Sequence, residues 1–574
     1  MNAAAAAAAP AASAVAAGAR PRVLTRRRLG LCALSGILGA LAFPLAFSFT
    51  DGKELLPSGV LEPLAFVCLV PALLATEGLS FWKTFWTGTL AGMVFFTGAF
   101  WWVNVAMTTF GGMPAFLSIP CLELLVFWCA IHWGLAFAVT RFLEARHGWS
   151  AAAVFAPVWM ATELMRNYFC SGFPWANLGY SQMRNLWLSQ VGSVLGVYGV
   201  ALLVAFVNAA LYEVWRWRVR KVRSKPAAWM AAAGTALLAG HVYGAVRVAV
   251  LSAEIDAAPK VQVAVVQGNI DQKLKNAQGG HVRMVLDAYN PPTVAADASG
   301  ADLIVWPEAS FPLALPDSMR AMPQRALAKP QYSAHLLIGV DRYDPTDRRV
   351  GENSAFMLDQ QLQVTSLYTK HHLVPFGEYI PLNMQAWLPI DNVVPGTFRP
   401  GQELVNMRFP ARSLGGREVA AAPEICFDAI FPEISRAYAN QGADVLVNLT
   451  NDAWYGLSGA PYQFLRMVAM RAVETGRPVA RAANTGVSAF IDPLGRIHEA
   501  TPLGIVKSDL NAVDARLKVP PEWRVAGVPL VSGRTPYVVL GDLPSYLAAA
   551  FALFGVGWGV FKRVRERAEA KRRS

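Results

Sequence analysis

Long apolar segments fill the first 250 residues of the chain and recur once near its end. A membrane-spanning helix needs about 20 mostly apolar residues. Eight segments fit this requirement, at residues 29–48, 59–77, 84–106, 114–140, 149–166, 189–214, 227–250 and 538–561. The fifth is the weakest, because it is short and ends in Glu163 and Arg166. The pattern therefore predicts a multi-pass α-helical membrane domain with eight transmembrane helices.

The stretch between the seventh and eighth segments has a different pattern, in which short β-branched runs alternate with turn residues. Strands are predicted at Val261–Val266, Leu303–Trp306, Leu336–Val340, Val419–Ala422, Val445–Leu449 and Val487–Ile491. Helices are predicted at about 278–290, 431–440 and 461–475. Strands and helices mixed over this length are typical of a layered α/β domain with a large core.

Composition agrees with this division. Of the 574 residues, 54% are hydrophobic and 16% are charged, whereas a soluble protein has about 25% charged residues. Five regions follow: an alanine-rich, disordered tail (1–28), seven spans (29–250), a globular domain (251–536), the eighth span (537–561) and a basic tail (562–574).

Basic residues predict the orientation of the spans, because Lys and Arg in short loops favour the cytoplasmic side. Three basic clusters lie before the first span, between the sixth and seventh, and after the eighth, at residues 20–28, 216–225 and 562–573. With eight spans, all three clusters and both termini are cytoplasmic, and the globular domain is on the outer face. The net charge of +12 then reflects topology, and no basic-aromatic motif in the domain indicates nucleic-acid binding.

One cysteine stands apart from the other five. Cys426 is the only cysteine of the globular domain, and it directly follows a predicted strand. Taken alone, it is either a small core residue or a nucleophile. Two other strand ends carry side chains that could take part in catalysis. Glu308 follows the strand at 303–306, and Lys370 begins a loop with His371 and His372.

Together these residues are suited to nucleophilic catalysis. A cysteine is nucleophilic as the thiolate, and a nearby carboxylate can take its proton. A lysine ammonium can stabilise the oxyanion of a tetrahedral intermediate, and the N–H of Phe427 is a candidate second donor. His371 and His372 leave open a Cys–His pair, or a role in positioning Lys370.

At this point the sequence resembles a known superfamily. The segments Trp306–Glu308, Lys370–Glu378 and Glu424–Asp428 resemble, in order and spacing, the Glu-Lys-Cys signature of the nitrilase (carbon–nitrogen hydrolase) superfamily. With the membrane part, and with further matches at 110–114, 172–182, 266–270 and 448–456, the chain resembles the apolipoprotein N-acyltransferase family over residues 29–561. The resemblance implies that the globular domain is a nitrilase-like α-β-β-α sandwich.

The resemblance also implies an activity. Such an enzyme transfers a fatty acyl group from a membrane phospholipid to the α-amine of the N-terminal diacylglyceryl-cysteine of an apolipoprotein. Glu308 is the implied base, Lys370 the oxyanion partner and Cys426 the carrier of a thioester, with Glu378 orienting Lys370 or Glu308. The implied protein is a monomer without cofactor or metal, in a bacterial inner membrane, with its catalytic domain in the periplasm.

Two positions depart from the family pattern. Asn276 stands where an aromatic residue is common, and Asp428 stands where the acid two places after the nucleophile is usually Glu. Two segments near the site have open roles. Leu382–Ile390 is either an arm at the membrane interface or domain core, and Gly172–Trp175 either supports the domain or anchors the interface.

Two other functions share parts of this pattern. A membrane-tethered amidase or nitrilase acting on a small amide would have the same three catalytic residues, but one span would suffice as its tether. A transporter or receptor would usually carry paired ionisable groups within its spans. Glu123 and Glu163 are the main candidates, and they show no such pairing.

Overall fold

The computed structural model describes residues 25–46, 60–221, 225–272, 281–323, 326–381, 397–503 and 520–573. Asn276 and the segment 382–390 lie outside these residues. The described α-helices are α1 (Arg26–Leu41), α2 (Val70–Ala75), α3 (Phe81–Val105), α4 (Ala115–His147), α5 (Ala151–Tyr168), α6 (Leu186–Ser189), α7 (Gly192–Arg220), α8 (Pro226–Ala257), α9 (His281–Ala298), α10 (Pro432–Asn440), α11 (Ala460–Thr475), α12 (Pro536–Leu540) and α13 (Leu543–Arg573).

Helical structure occurs at all eight segments predicted to span a membrane, but not all of it is long enough. Within the described part of the chain, five helices are long and apolar enough to cross a membrane, namely α3, α4, α7, α8 and α13. Helix α1 has 16 residues, and the second segment is split between a 3₁₀ turn at Glu62–Phe66 and the six residues of α2. The chain is therefore a multi-pass membrane protein, and the number eight stays a prediction.

Helix α5 corresponds to the fifth predicted span, which was the weakest because it ends in two charged residues. Its Glu163 and Arg166 are 5% and 2% exposed, so both lie inside the helical bundle. Glu163 accepts hydrogen bonds from the Trp159 indole at 3.1 Å and the Leu178 amide at 2.7 Å. These side chains hold the loop that follows α5, because buried polar groups need partners.

The globular domain contains two mixed sheets. The described strands are β1 (Lys260–Gln267), β2 (Leu303–Val305), β3 (Leu315–Pro316), β4 (His335–Asp344), β5 (Asp347–Leu358), β6 (Val364–Thr369), β7 (Thr397–Phe398), β8 (Met407–Ala411), β9 (Arg417–Ile425), β10 (Val445–Thr450), β11 (Val479–Ala483), β12 (Ala489–Ile491), β13 (Ile497–His498) and β14 (Glu522–Pro529). The first sheet has the order β14-β1-β2-β4-β5-β6, with β3 paired to β4 and β7 to β5. The second has the order β13-β12-β11-β10-β9-β8. All six strands and three helices predicted in this region are confirmed.

Alternation along β1 shows how the layers stack. Val263 and Val265 join one apolar core with residues of the second sheet, whereas Ala264 and Val266 join another with α9. Because successive side chains of a strand point to opposite faces, the first sheet lies between the second sheet and α9. Helices α10 and α11 cover the outer face of the second sheet. The domain is thus an α-β-β-α sandwich.

The domain rests on the membrane helices through α11. Every residue of α11 except the half-buried Tyr462 is buried, including Arg471 and Glu474, and the helix packs against α7. Arg471 donates to the Tyr180 hydroxyl at 2.9 Å, and the Val197 amide donates to Glu474 at 2.8 Å. Polar contacts therefore fix the domain on the membrane part and satisfy groups that burial would otherwise leave unpaired.

Candidate active site

Three strand ends bring Glu308, Lys370 and Cys426 together between the two sheets. Glu308 follows β2 and Lys370 follows β6, both in the first sheet, while Cys426 follows β9 in the second. They are 7%, 1% and 8% exposed, respectively. The three side chains interact electrostatically, and both Glu308 and Lys370 act on the Cys426 thiol. The structure thus gathers the three residues that the sequence predicted.

Two carboxylates hold the ammonium of Lys370, and one amide bridges those carboxylates. Its Nζ lies 3.1 Å from Glu308 Oε1 and 2.9 Å from Glu378 Oε1. The Asn353 amide donates to the same two oxygens, at 2.7 Å and 3.0 Å. The second oxygen of Glu308 accepts from the Asn451 amide N–H at 3.0 Å, and that of Glu378 from the Val374 N–H at 2.8 Å. Both carboxylates are therefore fixed in place by donors on each oxygen.

The backbone turns sharply at Cys426. Its φ of 46° lies in the left-handed region, which is uncommon for any residue but glycine, and a 3₁₀ turn at Cys426–Ile430 follows. Asp428 holds this turn by accepting from the Ile425 N–H at 3.1 Å, the His372 N–H at 2.7 Å and the Tyr368 hydroxyl at 2.8 Å. The shorter acid at this position therefore does link the turn at Cys426 to the loop that begins at Lys370. As the second residue of the turn, Phe427 has an N–H without an acceptor inside the turn.

Burial and charge set the protonation states. Burial, together with the Glu308 carboxylate, raises the pKa of the Cys426 thiol to about 12, although the Lys370 ammonium opposes the shift. Burial alone would lower the pKa of Lys370, but Glu308 and Glu378 raise it well above its usual value. The resting site therefore holds a neutral thiol beside a charged lysine. A thiol in that state needs a base at the moment of attack.

The two histidines lie elsewhere. His371 contacts the Gly401 carbonyl through Nδ1 at 3.0 Å. His372 contacts the Ser171 carbonyl through Nε2 at 2.8 Å and stacks on the Phe431 ring at a centroid distance of 3.7 Å. Burial lowers the pKa of His372 to about 4, so its ring is neutral at physiological pH. Both rings position loops, and neither forms a pair with the described Cys426 thiol.

Aromatic side chains of the membrane part form the floor of the site. Trp175 is 1% exposed and donates from its indole to the Gln463 side chain at 2.7 Å. Its ring lies 6.0 Å from that of Tyr455, and the Phe173 ring lies 6.1 Å from that of Phe427. The segment Gly172–Trp175 therefore packs against the globular domain and supports it, which is one of its two expected roles.

Sequence reasoning missed three polar residues around the three central side chains. Asn353 lies inside β5 opposite Asp341 of β4, and only the further pairing of β4 with β2 brings it near Glu308. Asn451 and Tyr455 belong to the matched segment 448–456, whose position after β10 was the available signal. The Tyr455 hydroxyl faces Cys426, and burial raises the pKa of that hydroxyl well above its usual value, so it stays protonated.

The arrangement has the parts needed for acyl transfer through a covalent intermediate: a nucleophile, a carboxylate and an oxyanion partner in a buried site. The described residues contain no cluster of His, Cys, Asp and Glu that could hold a metal ion.

Comparison with known proteins identifies both halves of the chain. Residues 35–210 match the family model of the apolipoprotein N-acyltransferase N-terminal domain, and residues 262–513 match that of the carbon–nitrogen hydrolases. The apolipoprotein N-acyltransferase of Geobacter metallireducens is 35% identical over 84% of this chain and 88% of its own length. That of Allorhizobium ampelinum is 34% identical over 82% and 87%.

A solved structure is more distantly similar. A nitrilase-superfamily amidase from Nesterenkonia is 18% identical, covers 50% of this chain and 97% of its own, and has a TM-score of 0.33. The two family matches and the identity to the curated relatives over most of both lengths decide the assignment. The chain belongs to the apolipoprotein N-acyltransferase family.

Proposed function

We propose that the chain transfers a fatty acyl group from a membrane phospholipid to the α-amine of an N-terminal diacylglyceryl-cysteine on an apolipoprotein. The observation that carries this proposal is the placement of Glu308, Lys370 and Cys426 in a buried site against aromatic residues of the membrane part. A soluble substrate would not require a reaction centre built against that part. The names of the curated relatives support the same activity and do not favour the small-amide alternative.

In the first half-reaction, Glu308 takes the proton of the Cys426 thiol as the sulfur attacks the carbonyl carbon of an acyl ester. The new C–S bond places the electron pair on the carbonyl oxygen, where Lys370 and the Phe427 N–H stabilise it. The C–O bond then breaks, and Glu308 returns its proton to the departing oxygen. A lysophospholipid leaves, and a thioester stays on Cys426.

In the second half-reaction, the amine of the acceptor attacks the thioester carbonyl. Glu308 accepts a proton from the amine, the C–S bond breaks with its electron pair on sulfur, and Glu308 passes the proton to that sulfur, which restores the thiol of Cys426. The product is an amide. Glu378 contacts no reacting atom in this scheme. It orients Lys370, and Asn353 bridges the two carboxylates so that neither drifts from the ammonium.

The proposed reaction also suggests the oligomeric state, membrane location and orientation of the protein. We propose that the enzyme is a monomer in a bacterial inner membrane, that its spans number eight, and that the catalytic domain faces the periplasm with both termini cytoplasmic. The three basic clusters support this orientation. A thioester also has to be kept from water, because hydrolysis would make the enzyme a lipase, and the burial of Cys426 serves that purpose.

A transfer assay tests the proposal. Purified protein in mixed phospholipid–detergent micelles is incubated with a synthetic diacylglyceryl-cysteinyl peptide. The mass of the peptide is then measured by mass spectrometry. We expect one fatty acyl group to be added at the free amine. Cys426→Ala should abolish the product, whereas Cys170→Ala, which removes an exposed thiol, should leave it unchanged. Turnover of small amides without peptide acylation would overturn the proposal.

A further inference from the structure

The loop after β10 lies against the end of β9 that carries Cys426. The two strands are parallel, and Leu449 of β10 pairs with Ile425, the residue before the nucleophile. The chain after Leu449 therefore runs beside the turn at Cys426. A 3₁₀ turn at Asp452–Tyr455 follows the strand and brings the Tyr455 hydroxyl into hydrogen-bonding contact with the Cys426 sulfur.

Two tryptophan rings of the membrane part hold the buried Tyr455 ring in place. The Trp102 ring, near the end of α3, lies 4.9 Å from it at an interplanar angle of 75°. The Trp175 ring lies 6.0 Å from it at an angle of 73°. Both are edge-to-face contacts, which aromatic pairs favour. Because these contacts fix the ring, the hydroxyl stays directed at the sulfur.

Two hydroxyls of the described residues contact the sulfur, and of these two Tyr455 is the one with a hydrogen to give it. Thr450, the last residue of β10, also interacts with Cys426. Its single hydrogen is donated to the Asp452 carboxylate at 2.9 Å, which the Arg481 guanidinium holds from 2.6 Å. A hydrogen bond to a carboxylate is stronger than one to a neutral thiol, so Thr450 offers the sulfur only lone pairs.

The phenol of Tyr455 keeps its hydrogen at physiological pH. Burial raises its pKa well above the usual value, and the acidic groups of Cys426 and Asp452 raise that pKa further. The phenol is therefore a hydrogen-bond donor and not a source of protons. A donor fixed beside a sulfur stabilises it most when the sulfur carries negative charge, because hydrogen bonds to ionised acceptors are the strong ones.

We propose that Tyr455 is a further catalytic residue, whose O–H donates a hydrogen bond to the Cys426 sulfur whenever that sulfur is anionic. In the first half-reaction it stabilises the sulfur as Glu308 removes the thiol proton. In the second, the C–S bond breaks with its electron pair on sulfur, and Tyr455 stabilises that charge until Glu308 returns the proton. The phenol keeps its own hydrogen in both steps. This inference rests on the proposed function, because the departing sulfur belongs to the thioester.

Removing the hydroxyl tests the inference. Tyr455→Phe keeps the ring between the two tryptophans and removes the donor. The matched control is Tyr332→Phe, which removes another buried phenol of the same domain, in the apolar core that contains α9. Two rates are measured by mass spectrometry. One is alkylation of Cys426 by iodoacetamide at constant pH, which needs no lipid, and the other is discharge of the preformed acyl-enzyme by the diacylglyceryl-cysteinyl peptide.

We expect Tyr455→Phe to slow discharge about ten- to a hundredfold, because a hydrogen bond to a charged group has an effect of that size. Alkylation should slow by less, about three- to tenfold, since a thiolate of higher pKa is scarcer but more nucleophilic. Tyr332→Phe should leave both rates within about twofold of the parent values. Either rate unchanged in Tyr455→Phe overturns the inference while the proposed function stands. An unaltered protein that forms no acyl-enzyme instead overturns the proposed function, and the alkylation rates still decide whether Tyr455 donates to the sulfur.

A second variant separates hydrogen bonding from packing. A ring-fluorinated tyrosine in place of Tyr455 retains the ring and the hydroxyl but makes the phenol more acidic, which strengthens the hydrogen bond that it donates. Both rates should then rise above those of the unaltered protein, opposite in direction to Tyr455→Phe. A purely structural role of the ring would slow both variants, so rates that do not rise with the fluorinated residue would overturn the inference.

Discussion

Replacing the candidate base, Glu308→Gln, should make Cys426 more reactive toward a simple alkylating reagent while abolishing acyl transfer. The expectation follows from the charges around the sulfur. Burial and the Glu308 carboxylate both raise the pKa of the thiol, and the Lys370 ammonium lowers it. Glutamine keeps the shape of the side chain but removes the negative charge, so the thiolate loses a repulsive neighbour, while burial and Asp452 still raise its pKa.

The size of the effect can be worked from the pKa. With a value of about 12, a thiol at pH 8 is ionised to about one part in 10⁴, compared with roughly a quarter for a free cysteine of pKa about 8.5. Cys426 should therefore be alkylated about 10³-fold more slowly than free cysteine, and its rate should rise about tenfold per pH unit. A neighbouring charge shifts a pKa by about one to three units, so Glu308→Gln should accelerate alkylation at least tenfold.

The assay is the alkylation rate of Cys426 by iodoacetamide between pH 7 and 10, read by peptide mass spectrometry. Reagent access is the same in each variant, so it cancels from the comparison. Glu378→Gln is the matched control, because Glu378 contacts Lys370 rather than the thiol. Acyl transfer measured in parallel should fall about 10²- to 10⁴-fold in Glu308→Gln, as expected for loss of a general base.

A slower or unchanged alkylation in Glu308→Gln would refute the reasoning. It would mean that the carboxylate does not hold the thiol in its neutral form. Faster alkylation with unchanged acyl transfer would also contradict the reasoning. Glu308 would then affect the charge of the thiol but would not act as the base.

Two further predictions concern residues that support the site, and a third concerns metal ions. Asn353→Ala should slow single-turnover adduct formation about ten- to a hundredfold, because each of the bridged carboxylates loses one charge-assisted hydrogen bond; Asn406→Ala, whose amide contacts the Gln441 carbonyl, should not. Arg481→Met should destabilise the fold by about 3–5 kcal/mol, seen as a lower Tm in detergent, since Arg481 and Asp452 form a fully buried pair at 2.6 Å. Incubation with a chelator should leave transfer unchanged, and a loss restored by a divalent cation would count against the mechanism.

Local patterns were sufficient for much of the fold. The alternation in β1 and the apolar runs of β9 and β10 predicted strands that the structure contains. The burial of α11 was beyond such reasoning. Its arginines and glutamate are typical of a solvated face, yet they are buried. The membrane part supplies their partners from residues almost 300 positions away in the chain.

The same distinction holds at the site. Glu308 and Cys426 could be proposed because each follows a predicted strand, and Lys370 because it begins a loop of unusual composition. The resemblance of all three segments to the Glu-Lys-Cys signature then joined them into one site. Asn353 could not be proposed from the sequence, because only the strand pairing of the folded domain brings this asparagine of β5 to Glu308. His372 shows the converse. Its nearness to Lys370 in sequence suggested chemistry, but its ring is held by Ser171 and Phe431.

The most direct test of the central claim is the intact mass of the protein after incubation with phospholipid and no acceptor. The account predicts a gain equal to one fatty acyl group, located on Cys426 by peptide mapping and absent in Cys426→Ala. Adding the diacylglyceryl-cysteinyl peptide should discharge it and yield the amide. Peptide acylation without any adduct on Cys426, or an adduct that the peptide does not discharge, would contradict the account.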